Sequence, residues 1–428
     1  MRYVKITSLF ILCIILFSFI LCSCSGNENS ELGTSYQTDS QQKNAQYSFE
    51  ITDLQTQAKP ILNKVFDYTT EYNIGVVDFN KDSFFISYSS GMGYNRSPAV
   101  SHAIYDIEAD SLYESGKTYN EIASSGANVI VNDCLYFWYN ATDNIGNEVN
   151  KLVMADDKNR SLKAIAEKKY SNQLLRLDKL NENEFVTNYS IIDEKSNSTV
   201  IEAYNVQEEK LRTLFTLKYS NLEDQPDSSG IVLETICAMD NKIYGIGREK
   251  HNYQYECYFY VFDTEGNLLK KINAPALAEA LEDTIPLCLQ VSGNYFGVTD
   301  YQLKASLYRL DDDKITCIIN PNEGYKFALG AENFYTAESV PYFYYYSDYS
   351  SLTKKDNRIL YVFDTASGNT AKAEIKFDDN YRYLNYISTD EEGNLLICFD
   401  KDFSKFDYKY YYLDNMSIKN SIKSHKCL

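Results

Sequence analysis

The chain has 428 residues, of which 44% are apolar and 24% charged, with 41 Lys and Arg against 60 Asp and Glu. That apolar content can bury a large core and excludes a disordered polymer, while a net charge of −19 opposes nucleic acid or an anionic bilayer held by bulk electrostatics. Thirty-nine Tyr beside a single Trp tilt the fold towards β structure, because Tyr suits pleated, half-exposed surfaces.

In chain order, Arg2 and Lys5 open a charged start and Leu9–Leu21 is an almost unbroken apolar run. A run of about 13 residues is too short to span a bilayer and suits a signal segment. It ends in Leu21-Cys22-Ser23-Cys24, which resembles the bacterial lipobox, with an aliphatic residue three positions before the modified Cys. The resemblance implies lipid attachment at Cys24, removal of residues 1–23, and a body held by acyl chains at the extracytoplasmic face of the cell membrane. Cys22 departs from the Ala, Ser or Thr commoner at its position and stands as the alternative attachment point. Two or three acyl chains would hold firmly where one holds marginally.

Residues 24–46 are rich in Ser, Asn, Gln, Gly and Thr without apolar periodicity, and read as a disordered tether. Loss of Arg2 and Lys5 with the signal leaves 39 bases against 60 acids, a charge of −21. Such a body is repelled by an anionic surface, so the lipid must do the holding. Seven Cys follow position 24, namely Cys134, Cys237, Cys257, Cys288, Cys317, Cys398 and Cys427. Their odd number and irregular spacing argue against a disulfide framework, and most sit in apolar runs as small core residues. Cys257 and Cys288 remain a potential pair.

Residues 47–428 are built on a repeat. One phrase is an apolar strand ending in Asp or Asn, a polar turn and a second strand, with its anchors at Asp106, Asp156, Asn205, Asp263, Asp311, Asp364 and Asp414. These lie 48 to 58 residues apart. A strand, a tight turn near Asp82, Asp133, Asn183, Asn241, Asn294, Asn333 or Asn394, and an aromatic-rich strand precede each one. Two hairpins in each of seven copies predict an all-β, seven-bladed β-propeller of four-stranded antiparallel blades, since one such sheet cannot bury both of its faces alone. Tyr47–Leu54 is placed to add a strand to the last blade.

Tyr260-Val-Phe-Asp-Thr-Glu-Gly-Asn267 and Tyr361-Val-Phe-Asp-Thr-Ala-Ser-Gly-Asn369 resemble the strand and turn phrase of the YVTN-like and PQQ-like bacterial propellers. The resemblance covers most of residues 70–422. PQQ-like repeats carry a Trp in each blade, whereas this chain has only Trp138, so no quinone cofactor is expected.

In a propeller the A–B and C–D turns lie at one end and the B–C and D–A connections at the other. Every long insertion falls in the second set: Ser89–Ser101, Asn140–Asn150, Glu249–Glu256 and Pro341–Asn357 between B and C, with Ser115–Ala127, Tyr219–Val232 and Asn273–Pro286 between D and A. Insertions gathered on one face of a repeat protein mark a binding face. Its candidate ligand-binding residues are Tyr94, Trp138, Tyr253, Tyr342, Tyr344 and Tyr346, with Tyr255 nearby, because rigid aromatic faces serve both protein hot spots and sugar stacking. For Tyr342–Tyr346 the alternative is a strand that alternates between packing and solvent.

His102, His251 and His425 are far apart and lack paired ligand spacing, so no metal is expected. The triplets Asp311–Asp313 and Asp390–Glu392 resemble no calcium loop, and no nucleophile elbow or phosphate loop is present. The sequence therefore predicts a non-enzymatic, membrane-anchored binding or scaffold module for a protein or glycan, with no nucleic-acid partner and no catalytic residues. A propeller hydrolase or lyase acting on a carbohydrate or lactone is the alternative, and it would need carboxylates converging at the channel.

Overall fold

The computed structural model describes residues from Tyr47 to Asn420 with gaps, side chains being described from Val129 onward. Cys24, the signal and the tether fall outside the described residues. The chain divides into Met1–Lys43 and Asn44–Leu428, and the second unit holds every described residue.

The repeated hairpins form sheets in chain order. The first pairs Tyr72–Phe79, Ser83–Ser90, Val100–Asp106 and Ser111–Tyr119; the second pairs Ser124–Val131, Cys134–Thr142, Glu148–Asp156 and Ser161–Lys169. The third is Arg176–Asn181, Glu184–Ile192, Asn197–Asn205 and Lys210–Ser220 with the short Ser229–Gly230 added outside. The fourth is Leu233–Met239, Lys242–His251, Gln254–Asp263 and Leu268–Asn273; the fifth is Pro286–Ser292, Tyr295–Asp300, Ala305–Asp311 and Lys314–Ile319. The sixth is Tyr325–Phe327, Tyr342–Ser347, Ile359–Asp364 and Asn369–Glu374, with Tyr47–Ser48 beside the last. The final sheet is Tyr383–Thr389, Leu395–Asp400 and Tyr408–Leu413, completed by Lys59–Ile61.

The expectation of seven like, four-stranded, antiparallel blades is corrected. Six sheets, the second to the last, carry the side-chain packing that the structure describes; the first is described in its backbone alone. Two sheets have five strands, and Tyr47–Ser48 pairs in parallel with Ala371 and Lys372. An outermost strand leaves a row of unpaired backbone groups, and these short additions cover part of that edge. The segment that completes the last sheet is Lys59–Ile61, with Lys59 opposite Tyr412 and Ile61 opposite Tyr410, rather than Tyr47–Leu54. Because the next strand, Tyr72–Phe79, opens the first sheet, this strand ties the end of the series to its beginning.

Consecutive sheets stack face to face. In the sixth sheet Phe343, Tyr345 and Phe363 pack with Leu307 and Ile319 of the fifth, while Tyr344, Tyr346, Leu360 and Val362 pack with Ile387, Leu395 and Ile397 of the last. The two-residue side-chain period sends alternate residues into opposite interfaces, so one strand serves two cores. The innermost strands of the first five sheets lie against one another in sequence. Stacked meanders with adjoining inner strands and a last sheet completed from the N-terminal side define an all-β propeller. The inner pair is bulged in every sheet except the sixth, which adds the twist that a bulge supplies.

The repeated Asp and Asn anchors close the C–D turns. Asn205 Oδ1 accepts from the backbone N–H of Gln207 and Glu208 at 3.0 and 2.9 Å, and Asp263 Oδ1 from those of Glu265 and Asn267 at 3.0 and 2.8 Å. Asp364 accepts in the same way from Ala366; after Asp414 no C–D turn follows, because Lys59–Ile61 is the outer strand, and its Oδ1 accepts from the Ser417 N–H at the start of a short helical segment. A carboxylate or amide that mimics the turn's own carbonyl is the reason for the spacing.

Candidate functional site: the elaborated end of the fourth sheet

In the fourth sheet Glu234 lies near the start of the inner strand, Arg248–His251 near the end of the second and Glu256–Tyr258 near the start of the third. Lys271 lies near the end of the fourth strand. All four places are at the B–C and D–A end, where the helix Pro275–Ala280 also fills the connection to the fifth sheet. The predicted loop Glu249–Glu256 is instead a continuous hairpin, with Glu249 opposite Glu256 and His251 opposite Gln254.

Its turn consists of Asn252 and Tyr253, at φ 51° and 65°. Two successive left-handed residues make the tight turn that matches strand twist. Asn accepts this conformation, whereas a large aromatic residue rarely does. The Asn252 N–H donates to Asp227 Oδ1 at 3.0 Å, and Lys250 Nζ sits 5.3 Å from the Tyr253 ring centroid. Tyr253 is thus held in an unfavourable backbone position and is 63% exposed. A strained, exposed side chain that its surroundings hold in place is a feature of ligand sites.

The two faces of this hairpin carry different electrostatics. Glu249 is buried between the fourth and third sheets, taking Tyr260 Oη at 2.5 Å, Lys271 Nζ at 2.7 Å and His251 Nε2 at 3.3 Å. Burial pushes its carboxyl up, but the hydrogen bonds from Lys271 and Tyr260 outweigh that and hold it below its ordinary value. Glu256, directly opposite, accepts from Tyr258 Oη at 2.5 Å, and Lys271 lies 4.0 Å from the Tyr258 ring centroid. Like charges opposed across a ladder destabilise it, and these donors supply the compensation.

On the other face Arg248 Nε donates to Glu234 Oε1 at 2.6 Å. Burial raises the Glu234 carboxyl despite this cation, and burial beside Glu234 pushes the Cys257 thiol up to about 12. Arg248 and Glu249 are sequence neighbours on a strand, so Glu234 and Glu249 serve opposite faces. The raised and the depressed carboxyl therefore share no common space, and this hairpin assembles no acid and base pair. Among the described residues no group of three or more His, Cys, Asp and Glu is arranged to hold a metal ion.

Of the residues that the sequence singled out, Tyr253 is on the surface and Tyr255 beside it is 52% exposed. Trp138 is fully buried; its Nε1–H donates to Thr187 Oγ1 of the next sheet at 2.9 Å, and its ring packs with Leu152, Leu177 and Phe185. Tyr344 and Tyr346 are buried strand residues and Tyr342 is half-buried, because Tyr342–Ser347 continues the second strand of the sixth sheet and packs on both faces. Tyr94 lies outside the described residues, as do His425 and Asp390–Glu392. Asp311–Asp313 forms the C–D turn of the fifth sheet. Cys237, Cys257, Cys288 and Cys398 are buried, and Cys257 is a free thiol.

Sequence reasoning missed the other exposed apolar groups at the B–C and D–A end. Ile145, 83% exposed, lies in the B–C turn of the second sheet, Ile191 at the B–C end of the third and Tyr301, 53% exposed, in the B–C turn of the fifth. Ile285 lies in the connection between the fourth and fifth sheets. With Tyr253 and Tyr255 they make six exposed large hydrophobic residues at one end, against Leu268, Leu269 and Met416 elsewhere among the described residues. Lone apolar residues within polar turns, as in Asn144-Ile-Gly146 or Asp300-Tyr-Gln302, are the signal that was present.

No protein-family model and no curated protein matches the sequence. Solved structures with a similar course include the β-propeller domain of the trilobed protease from Pyrococcus furiosus, 10% identical, with a TM-score of 0.47, over 81% of this chain and 94% of that one. An ulvan-degrading polysaccharide lyase gives 10% identity and a TM-score of 0.46 over 82% and 98%. An oligogalacturonate lyase from Vibrio parahaemolyticus gives 9% and 0.42 over 78% and 86%. The activities are those proteins' own.

Proposed function

We propose that this chain is a lipid-anchored, extracytoplasmic propeller that acts as a binding module, taking a protein or glycan ligand on its B–C and D–A end. The observation that carries the reading is the rim of Ile145, Ile191, Tyr253, Tyr255, Ile285 and Tyr301, exposed across four consecutive sheets at one end. Exposed apolar groups gathered on one side of a soluble surface mark interaction sites. The left-handed, clamped Tyr253 gives that rim a rigid aromatic centre. The lipobox at Leu21–Cys24 supports the anchor.

The test uses membranes from cells expressing the full chain. Wild type and the double variant Tyr253→Ser/Tyr301→Ser are compared for retention of extracytoplasmic proteins and of arrayed glycans. Loss of a specific ligand in the variant, with unchanged folding by circular dichroism, is expected; identical retention would remove the rim from the reading. The anchor is read separately: Cys24→Ser is expected to release the protein from the membrane fraction and to abolish labelling by a fatty-acid analogue.

A further inference from the structure

We infer that the fourth-sheet hairpin carries a proton-operated clamp: a proton taken up by His251 fastens the Asn252-Tyr253 turn to the connection between the third and fourth sheets, and its loss loosens that turn. The two nitrogens of the His251 ring face two different carboxylates. Nε2 lies 3.3 Å from Glu249 Oε2 on its own strand, and Nδ1 lies 3.9 Å from Asp227 Oδ1 in the connection. A neutral imidazole has one N–H. Whichever nitrogen carries it, the other turns a lone pair towards a carboxylate oxygen. The protonated ring has a donor on each side, and its charge strengthens both contacts.

Asp227 is where this proton reaches the turn. The same Oδ1 accepts the Asn252 N–H at 3.0 Å, and the next residue is Tyr253, whose positive φ must be held by its surroundings. With imidazolium beside it, Asp227 is held from two directions; with neutral imidazole, Asn252 holds it alone. The other charged and titratable groups around the ring have their own partners. Glu249 takes Lys271 and Tyr260, Glu256 takes Tyr258, and Lys250 lies against the Tyr253 ring. Glu234 and Arg248 pair on the opposite face. Lys and Tyr side chains keep their protons between about pH 5 and 8 and exposed carboxylates have lost theirs, whereas imidazole changes charge within that range. The charged ring is the fastened form, so the clamp is complete on the acid side of this range and is lost as pH rises through it. The clamp acts on Tyr253 whatever the rim binds.

The experiment measures hydrogen exchange at the Asn252 amide of the full-length protein in detergent, at about pH 5.5 and about pH 8, each corrected for the intrinsic rate at that pH. Protection is expected to be about threefold greater in acid, the size of effect that partly exposed ion pairs give. The difference should vanish in His251→Gln, which keeps a donor but does not titrate, and in Asp227→Asn, which keeps an acceptor for Asn252 but removes the charge. Equal protection at the two pH values in the wild type would overturn the inference, as would greater protection at the higher pH. A pH dependence that persists in either variant would overturn it too. The Asp227 side chain is 59% exposed, so Asp227→Asn decides the matter should His251→Gln fail to fold.

Discussion

The two ends of this propeller are built on opposite principles. At the A–B and C–D end the chain repeats one solution: Asn205, Asp263 and Asp364 each turn a side-chain oxygen onto a backbone N–H two residues ahead. At the other end the described connections differ from one another. One is a left-handed Asn252-Tyr253 turn, another a helix at Pro275–Ala280, and a third carries the added strand Ser229–Gly230. Repetition at one end secures the frame, and variety at the other is what the proposed ligand would distinguish.

The largest effect is expected in the core that both ends share. Trp138→Ala removes a fully buried ring and the donor to Thr187, and is expected to cost about 3–5 kcal/mol, read as a lower urea midpoint. A Trp138 that belonged to the variable end would instead alter binding and leave the midpoint in place. Next comes Glu249→Gln, which leaves Lys271 and Tyr260 without their ionised acceptor, at a cost of about 1–3 kcal/mol.

The pH dependence of this variant separates the two faces of the fourth sheet. Glu249 is depressed in the folded state, so its contribution is fully present above the ordinary carboxylate value of 4.5 and is lost as pH falls through the lower folded value. Glu234 is raised, so it favours folding below 4.5, an advantage that disappears as pH rises through the folded value. Thermal melts across acid pH are therefore expected to show Glu249→Gln removing a loss of stability on acidification. Glu234→Gln removes a change of the opposite sign.

A smaller effect is expected at the repetitive end. Asn205→Ala deletes an acceptor for two backbone donors in an exposed turn, and about 1 kcal/mol is expected from hydrogen bonds of this kind, measured by denaturant unfolding. The least effect on stability belongs to Tyr253→Ser/Tyr301→Ser, which should stay within about 0.5 kcal/mol, as surface substitutions do, while changing ligand retention.

The repetitive end was legible from sequence for a physical reason: a turn that needs an oxygen two residues before an N–H leaves an Asp or Asn at a fixed place in each repeat. The variable end was not. Glu249–Glu256 is charged and looks like a loop, yet Lys271, 22 residues away in sequence, pairs with Glu249, and the hydroxyls of Tyr260 and Tyr258 donate to Glu249 and Glu256, so the hairpin continues. Pro341–Tyr349 looks, in sequence, like an aromatic ligand loop. In the fold its aromatic run is a strand, and neighbouring sheets on both sides cover Phe343, Tyr344, Tyr345 and Tyr346. Aromatic density thus reported the presence of two interfaces, while exposure, which depends on distant residues, leaves Tyr253 of the sequence candidates on the surface and adds Tyr301.

The strand Lys59–Ile61 has a consequence for how the molecule comes into being. It pairs with Tyr410–Tyr412, so partners about 350 residues apart in the chain must meet. During synthesis the early segment has no partner until nearly the whole chain has emerged, and contacts of such sequence separation form late. Closure is then the last step of maturation, and a truncated or stalled product would display an unpaired edge of the kind that recruits other chains.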